Sequence, residues 1–246
     1  MGVLHVERFG EGPPVLLIHG SVTGGALTWG EQLPLAERFT LLVADRPGYG
    51  QTPMIEREDF EADAPLVADA LGDGAHLVGH SYGGVVSLLA AAQRPAAVRS
   101  LTVIEPPAFG IARGNRAVED RVTRIREHWE AGPSEPEPFL RGFLAIVGSV
   151  FDPPSPLPPE LERGARVLLV ERPPWEAQIP LEKLAAAPFR KLVVSGAHDP
   201  AFEAVCDVLE EKLDAERAVI PGAGHSVQRT GAPFNDRLEE FLSRAG

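Results

Sequence analysis

The sequence predicts an α/β fold in which a mostly parallel, doubly wound sheet carries a helical cap insertion. Short apolar runs suited to buried parallel strands alternate with stretches of helical periodicity, and Gly-rich turns separate them. The alternation stops between residues 108 and 187 and then resumes. We therefore expect a core formed by residues 1–107 and 188–246, with residues 108–187 inserted as a helical cap.

The predicted core begins with an edge strand and continues through buried strands. Residues 2–9 alternate weakly, whereas residues 15–18 form a continuous apolar run, as expected for a parallel strand covered on both faces. In chain order, the predicted strands are residues 2–9, 15–18, 40–44, 75–78, 101–104, 191–194 and 217–220. The predicted helices are residues 27–38, 59–71, 85–93, 202–213 and 233–244 in the core, with 115–131 and 137–150 in the insertion.

The composition indicates which binding partners and which cellular location to expect for the protein. The chain has a net charge of -12, which argues against nucleic acid and anionic membranes as partners. No apolar run approaches the length of a membrane span, and no apolar signal core is seen at the N-terminus, so we expect a cytoplasmic protein. The single Cys206 suits a reducing compartment, and its predicted helix makes a packed thiol the expected state. We expect neither a metal nor a cofactor, and the sequence indicates no particular oligomeric state.

One pentapeptide places a serine on a sharp turn. Residues 79–83 read GHSYG and lie between a predicted strand and a predicted helix, with Ser81 at the tip. Small residues two positions before and two after are what such a strained turn needs. A five-residue match is weak without its context, so the rest of the chain must supply a base, an acid and an oxyanion site.

The base is sought among the seven histidines, because a free serine hydroxyl is a poor nucleophile at neutral pH. His225 follows the last predicted strand in the segment GAGH, and its glycines allow a loop to approach the sheet edge closely. His19 sits in a turn where its ring is expected to brace the loop. His80, next to the serine, is expected to point elsewhere. We predict that His225 is the base.

Two carboxylates are candidates for the acid that orients this base. Asp199 follows the strand at residues 191–194 and is our first choice, although an Asp before Pro200 is also a typical helix N-cap. Glu105 ends the strand that follows the serine's helix and is the alternative acid. In the other interpretation, the Glu105 carboxylate lines the entrance to the cap.

The oxyanion of an acyl-transfer intermediate needs hydrogen-bond donors. The backbone N–H of Tyr82 is one candidate, because it opens a helix whose dipole favours negative charge. The backbone N–H of Ser21, in the loop after the strand at residues 15–18, is the second candidate. Val22 is the fallback for that second donor.

Five segments together resemble the α/β-hydrolase superfamily, in its small cap-bearing serine esterase-like branch. The matching segments are His19-Gly20, DRPGYG at residues 45–50, GHSYGG at 79–84, SGAHD at 195–199 and GAGH at 222–225. The order Ser, Asp, His is that of the superfamily. The resemblance covers residues 1–107 and 188–246 well and the insertion poorly.

The resemblance implies specific roles for these residues. Ser81 looks like the nucleophile, Asp199 the acid and His225 the base, with the amides of Ser21 and Tyr82 as the oxyanion hole. The superfamily often places its acid at the position of Glu105 instead, so this alternative stays open. The turn at residues 45–50 would be structural and would brace the loops beneath the site.

The implied function is hydrolysis of a small, largely apolar carboxylic ester through an acyl-enzyme. A serine at the elbow disfavours the dehalogenase and epoxide-hydrolase branches, whose elbows carry Asp. The same residues would also suit hydrolysis of a lactone, a thioester or a C–C bond, or cofactor-free perhydrolysis. A third interpretation is a small-ligand receptor on the same fold with little turnover.

Aromatic residues of the insertion allow two interpretations. They can line an apolar pocket over the serine, or they can form the insertion's own core, which is the more common outcome for such residues. The residues concerned are Trp129, Phe139, Phe143, Phe151 and Trp175.

Overall fold

A central sheet organises the protein in the computed structural model, which describes residues 4–149 and 151–244. Within these residues the sheet has seven strands in the order β1-β3-β2-β4-β5-β6-β7. Strand β1 is antiparallel to β3, and every other pairing is parallel. The strands are β1 His5–Phe9, β2 Pro14–Ile18, β3 Thr40–Asp45, β4 Ala75–His80, β5 Val98–Ile104, β6 Arg190–Ser195 and β7 Glu216–Val219.

Helices cover both faces of the sheet. They are α1 Gly25–Trp29, α2 Phe60–Ala70, α3 Tyr82–Gln93, α4 Arg116–Ala131, α5 Pro136–Ile146, α6 Pro159–Leu169, α7 Leu181–Ala186, α8 Pro200–Leu213 and α9 Ala232–Ser243. Alternate residues of β2 enter different layers: Leu16 packs in the core with α2, α3 and α8, and Leu17 in the core with α1 and α9. This is the doubly wound arrangement that the continuous apolar run predicts, so the predicted fold class is confirmed.

The segment between β5 and β6 contains helices α4 to α7 and corresponds to the cap that we propose for residues 108–187. Its helices α5 and α6 share a small core with Val22 of the loop after β2. Helix α6 was not predicted from the sequence, because prolines precede and open it. Proline is tolerated in a first helical turn, and the buried side chains of Leu161, Ala165 and Leu168 follow the helical period.

Two other expectations change in the structure. The predicted helix at residues 27–38 is instead the short α1 followed by a 3₁₀ stretch, Gly30–Glu37, which contains Pro34. Proline has no N–H to continue α-helical bonding, which explains the change. Residues 2 and 3 of the first predicted strand and residue 150 of the second insertion helix lie outside the described residues.

The structure bears on two expectations, the state of the single cysteine and the presence of membrane-spanning helices. Cys206 is a buried free thiol on α8, as predicted, and burial raises its pKa to about 12. In the described part of the chain no helix is both long and apolar enough to cross a membrane. The expected cytoplasmic location stays a prediction.

Candidate active site

Ser81 lies on a strained turn between β4 and α3. Its backbone has φ 52° and ψ -126°, a left-handed φ that residues other than glycine rarely adopt. The turn is possible because its neighbours are small: a Cβ on Gly83 would collide with the carbonyl of His19, and one on Gly79 would collide with the Ser87 hydroxyl. The Ser81 side chain therefore projects from the carboxyl edge of the sheet.

His225 joins Ser81 to a carboxylate. Its Nε2 lies 2.9 Å from Ser81 Oγ, and its Nδ1 lies 2.9 Å from Glu105 Oε2. Because the carboxylate can only accept, we assign the ring proton to Nδ1, which leaves Nε2 to accept the serine hydroxyl proton. Ser81, His225 and Glu105 thus form one continuous hydrogen-bonded chain.

Among the described residues, Asp199, our first choice of acid, has no hydrogen bond to His225. Its Oδ1 accepts the N–H of Ala201 at 2.8 Å and caps α8, and its Oδ2 pairs with Arg121 of the cap segment. The backbone of Asp199 is extended and Pro200 occupies the first helical position, the geometry of an N-cap. The structure therefore brings the alternative carboxylate, Glu105, to the histidine.

Glu105 reaches the histidine because it ends β5, the strand that pairs with β4 beneath the serine. Its Oε1 accepts the N–H of Gly196 at 2.7 Å and lies 3.2 Å from Nδ1 of His198. Burial alone would raise the pKa of Glu105, but the bonds from His198, His225 and Gly196 lower it to about 2. The carboxyl is therefore ionised at any ordinary assay pH and can stabilise a protonated His225.

A second histidine holds the loop that carries the base. The Nε2–H of His80 donates to the backbone carbonyl of His225 at 3.1 Å, and burial lowers the pKa of His80 well below its ordinary value. Gly196 adds room for this loop, since a Cβ there would lie 2.9 Å from the backbone nitrogen of Gly224. The sequence predicts no role for His80, although its position beside Ser81 indicates that it lies near the site.

The two amides expected to bind an oxyanion both lie beside Ser81. Tyr82 opens α3, so its N–H has no acceptor within the helix. Among the described residues the N–H of Ser21 likewise has no acceptor, whereas the N–H of the fallback residue Val22 donates to the Tyr49 hydroxyl at 3.3 Å. Gly20 lets this loop approach, because a Cβ there would lie 2.8 Å from Cβ of Ser81.

A buried arginine braces the Ser21 loop. Arg46 donates to the carbonyls of His19 at 3.0 Å and Gly20 at 2.8 Å, and it pairs with Glu58 and Asp63. The carbonyl of Gly20 belongs to the same peptide group as the Ser21 N–H. Anchoring that oxygen therefore orients the amide. Arg46 belongs to the turn at residues 45–50, which the resemblance implies would brace the loops beneath the site.

The remaining residues of the loop act as the sequence analysis expects. His19 accepts the N–H of Arg46 through Nε2 at 2.9 Å and donates through Nδ1 to the Gly20 carbonyl at 2.7 Å. Burial and the charge of Arg46 lower the pKa of His19 to about 3, so the ring is neutral. Asp45 accepts the N–H groups of Gly25 at 2.9 Å and of a residue in the following turn, which ties the two loops together.

A pair of buried carboxyls connects the cap segment to the Ser21 loop. The Ser21 hydroxyl donates to Glu171, whose backbone forms an isolated parallel bridge with the backbone of Glu58. The backbone of Arg172 reinforces this link by donating to the Glu58 carbonyl at 2.8 Å. Burial and the charge of Glu58 raise the pKa of Glu171 well above its ordinary value, which favours its protonated form. No sequence pattern indicated this pair.

Replacing Glu171 with glutamine is expected to change how stability depends on pH. Because the pKa of Glu171 is higher in the folded protein than in the unfolded protein, protonated Glu171 stabilises the fold. This stabilisation is complete below pH 4.5, the pKa in the unfolded protein, and it is lost as pH rises toward the pKa in the folded protein. As pH rises above 4.5, the wild type should lose stability relative to Glu171→Gln, which keeps the hydrogen bond without titrating, by at most about 1.4 kcal/mol per pH unit. Urea unfolding from pH 5 to 8, with the exposed Glu56→Gln as control, measures this. A constant difference across that range would contradict the protonated state.

Two limbs of a narrow pocket meet at Ser81. The cavity volumes are about 70 Å³ for a polar limb and about 30 Å³ for an apolar limb, room for small groups only. The apolar limb is lined by Pro107, Phe109, Ile125, Trp129, Phe143, Val147, Pro174, Trp175 and Phe202, with Glu171 as its buried polar wall. The polar limb is lined by Thr23, His80, Ser149, Phe151, Ser226, Gln228 and Arg229, among others.

The aromatic residues of the insertion divide between the two interpretations. Trp129, Phe143 and Trp175 line the apolar limb. Phe139 instead belongs to the core between α5 and α6, where its ring stacks on His128. Phe151 lies at the outer end of the polar limb, so both expected roles occur in one segment.

Ligand-type atoms of Glu105, His198 and His225 lie within 4.8 Å of one another. In the present arrangement these atoms are joined by hydrogen bonds through the Glu105 carboxylate. Their spacing is one that a metal ion can use. The expectation of no metal therefore stays a prediction.

Comparison with known proteins identifies relatives. The chain is 38% identical to a pimeloyl-[acyl-carrier protein] methyl ester esterase of Methylococcus capsulatus over 175 residues, or 70% of this chain and 66% of that protein. It is 30% identical to the protein of the same name from Aeromonas hydrophila over 237 residues, covering 75% of this chain and 92% of that one.

Solved structures and family profiles agree with these relatives. An alpha/beta hydrolase from Sphaerobacter thermophilus matches with a TM-score of 0.71 and 25% identity, over 97% of this chain and 96% of that one. The profile of the alpha/beta hydrolase family matches residues 15–238. This region contains the elbow serine, both candidate acids and the histidine that contacts the serine. The resemblance seen in the sequence is thus confirmed, and the chain belongs to the α/β-hydrolase family.

Proposed function

We propose that this protein is a serine hydrolase that cleaves a carboxylic ester through an acyl-enzyme, with Ser81 as nucleophile, His225 as base and Glu105 as acid. The observation that carries the proposal is the hydrogen-bonded chain in which His225 lies 2.9 Å from both Ser81 Oγ and Glu105 Oε2. The named activity of the relatives, methyl ester hydrolysis, supports an ester over the other substrates considered.

Acylation follows from this geometry. His225 Nε2 takes the proton as Ser81 Oγ bonds to the ester carbonyl carbon, and the carbonyl oxygen becomes an oxyanion that accepts from the amides of Ser21 and Tyr82. Ionised Glu105 stabilises the imidazolium. As the ester C–O bond breaks, Nε2 returns the proton to the leaving alkoxide, and the acyl group stays on Ser81.

Deacylation uses the same groups in the same order. His225 removes a proton from water as the water oxygen bonds to the acyl carbon, and it then protonates Ser81 Oγ as the ester to the serine breaks. In enzymes of this chemistry, general-base catalysis contributes about 10²–10⁴-fold and each oxyanion donor about 10²–10³-fold. His225 must be neutral to begin, because only a neutral ring can accept the proton of the serine hydroxyl.

The apolar limb supports a largely apolar acyl or alkyl arm. Its aromatic wall from the cap segment excludes water, and its small volume favours short groups unless the cap moves. Together with the methyl esters that the relatives are named for, this supports an ester of a small alcohol. The substrate that we propose is therefore a carboxylic ester with one apolar arm and a small leaving group.

Labelling with an active-site serine phosphonate, followed by an ester panel, tests this proposal. We expect one phosphonate per chain, on Ser81, and hydrolysis of methyl and p-nitrophenyl esters of short to medium chain. The panel includes a lactone, a thioester, a C–C cleavable diketone and a peroxide-dependent halogenation assay, so that each rival chemistry has its own readout. A Ser81 that resists labelling while a ligand still binds would establish the receptor interpretation instead.

A further inference from the structure

The polar limb of the pocket ends in two side chains that the ester reaction does not use. Gln228 and Arg229 follow His225 by three and four residues, in and after the 3₁₀ turn Val227–Thr230, and both line the same limb as Ser81. The limb also contains the hydroxyl-bearing residues Ser149 and Ser226. The limb is therefore rich in hydrogen-bond donors.

Gln228 presents an amide without partners. The residue is only 1% exposed, and neither its side-chain nitrogen nor its side-chain oxygen has a hydrogen-bond partner among the described residues. Its backbone is held in place, because the carbonyl accepts from the Gln32 amide at 2.7 Å. A buried amide with no partner is unfavourable, so a bound group that accepts from its nitrogen would stabilise the site.

Arg229 presents a cation without a carboxylate. Within residues 4–149 and 151–244 no salt bridge or side-chain hydrogen bond involves its guanidinium. Two arginines that are less exposed than Arg229 have carboxylate partners: Arg121 pairs with Asp199, and Arg217 pairs with Glu203 at 2.5 Å. Arg229 is exposed at the rim, so its planar donors remain available to a ligand that enters the limb.

We propose that the polar limb is a subsite for an anionic oxygen-bearing group, a carboxylate or a phosphate, on one arm of the ester. The guanidinium of Arg229 would pair with the anionic oxygens, and the buried amide of Gln228 would donate to one of them. This inference rests on the proposed function, since it names the class of ester that the same site takes. The chain has a net charge of -12, so the attraction of such a group to the pocket rests on the local charge of Arg229.

Three methyl esters of matched length test the proposal. They are the monomethyl ester of adipic acid, a methyl pentanoate with a terminal phosphonate, and the neutral methyl heptanoate. Methanol release gives kcat/KM for each, and the ratio of each anionic ester to the neutral one is the readout. The two anionic arms separate a carboxylate ligand from a phosphate ligand.

Changes at Arg229 should lower this ratio. We expect about a tenfold fall in Arg229→Gln and a further tenfold fall or more in Arg229→Glu, with partial retention in Arg229→Lys. Gln228→Leu should also lower the ratio, because the buried donor is lost. Arg99→Gln is the matched control: Arg99 is exposed near the start of β5, at the opposite edge of the sheet, and its ratio should equal that of the wild type.

A binding measurement separates failure of the subsite from failure of the proposed function. Calorimetric titration of Ser81→Ala with adipate, inorganic phosphate and the neutral amide hexanamide needs no turnover. Binding of adipate or phosphate should weaken about tenfold when Arg229→Gln is added, whereas binding of hexanamide should not change. If esters are not cleaved but this dependence on Arg229 holds, the subsite stands without the esterase. If neutral esters are cleaved but neither ratio nor binding depends on Arg229, the subsite is overturned and the esterase stands.

Discussion

Replacing Ser81 with alanine is expected to abolish ester hydrolysis and leave the fold intact. Loss of the nucleophile removes the covalent route and leaves the neighbouring base without a hydroxyl to deprotonate. In hydrolases of this kind the loss costs about 10⁶-fold in kcat. Alanine fits the same backbone, and the serine hydroxyl is bonded only to His225 among the described residues. The thermal unfolding curve should therefore change little.

The measurement compares kcat for a short-chain ester in the wild type, in Ser81→Ala and in a control. Ser243→Ala changes an exposed serine at the end of α9 and should behave like the wild type. Residual hydrolysis in Ser81→Ala should match the rate that the oxyanion donors and binding alone can support. Full activity in that variant would remove Ser81 from the mechanism.

Replacing Glu105 with glutamine is expected to cost about 10⁴-fold in kcat, by the loss found when a triad carboxylate becomes an amide. An amide cannot stabilise the His225 imidazolium, and its NH₂ group can favour the wrong ring tautomer. The amide would also face His198, which now shares the carboxylate at 3.2 Å. Activity should fall while the unfolding transition stays cooperative.

Asp199→Asn is the matched variant that separates the two candidate acids. Asparagine still caps α8, but it leaves the buried Arg121 without its carboxylate. We expect a loss of stability of about 3–5 kcal/mol and little change in kcat for the folded protein. If Asp199→Asn lost more activity than Glu105→Gln at equal folded fraction, Asp199 would be the acid after all.

Much of the core follows from local patterns. Continuous apolar runs such as Val15 to Ile18 are recognisable because both faces of a parallel strand are buried, and the structure contains each predicted strand within a few residues. The helix predictions were wrong where prolines determine the backbone conformation. Pro34 changes a predicted helix into a 3₁₀ stretch, whereas the prolines before α6 concealed a helix that they begin.

The candidate site was predictable wherever glycines and strand ends restrict the backbone. Gly79 and Gly83 mark the turn that only small neighbours permit, and the glycines before His225 mark a loop that must approach the sheet closely. These local requirements are visible in the chain. The contact between Ser81 and His225 is the one that they lead us to expect.

The choice between two carboxylates was not visible in the chain. Glu105 and Asp199 both follow strands at the same edge of the sheet, and each has a plausible structural use. The choice depends on a positive φ of 45° at Glu105 and on Arg121, which comes from the cap segment to neutralise Asp199. Neither feature has a signature in the residues around the acids.

The sequence by itself determined the α/β fold, the turn that carries Ser81 and the loop that carries His225, because these depend on burial pattern and on glycine geometry within short segments. Only the tertiary structure decided which carboxylate meets His225, that Glu171 joins the cap segment to Ser21, and that Arg229 lies at the rim of the pocket without a salt bridge to any described residue. Each of these depends on charges that are distant in the chain and adjacent in the fold, where burial decides which of them must be paired.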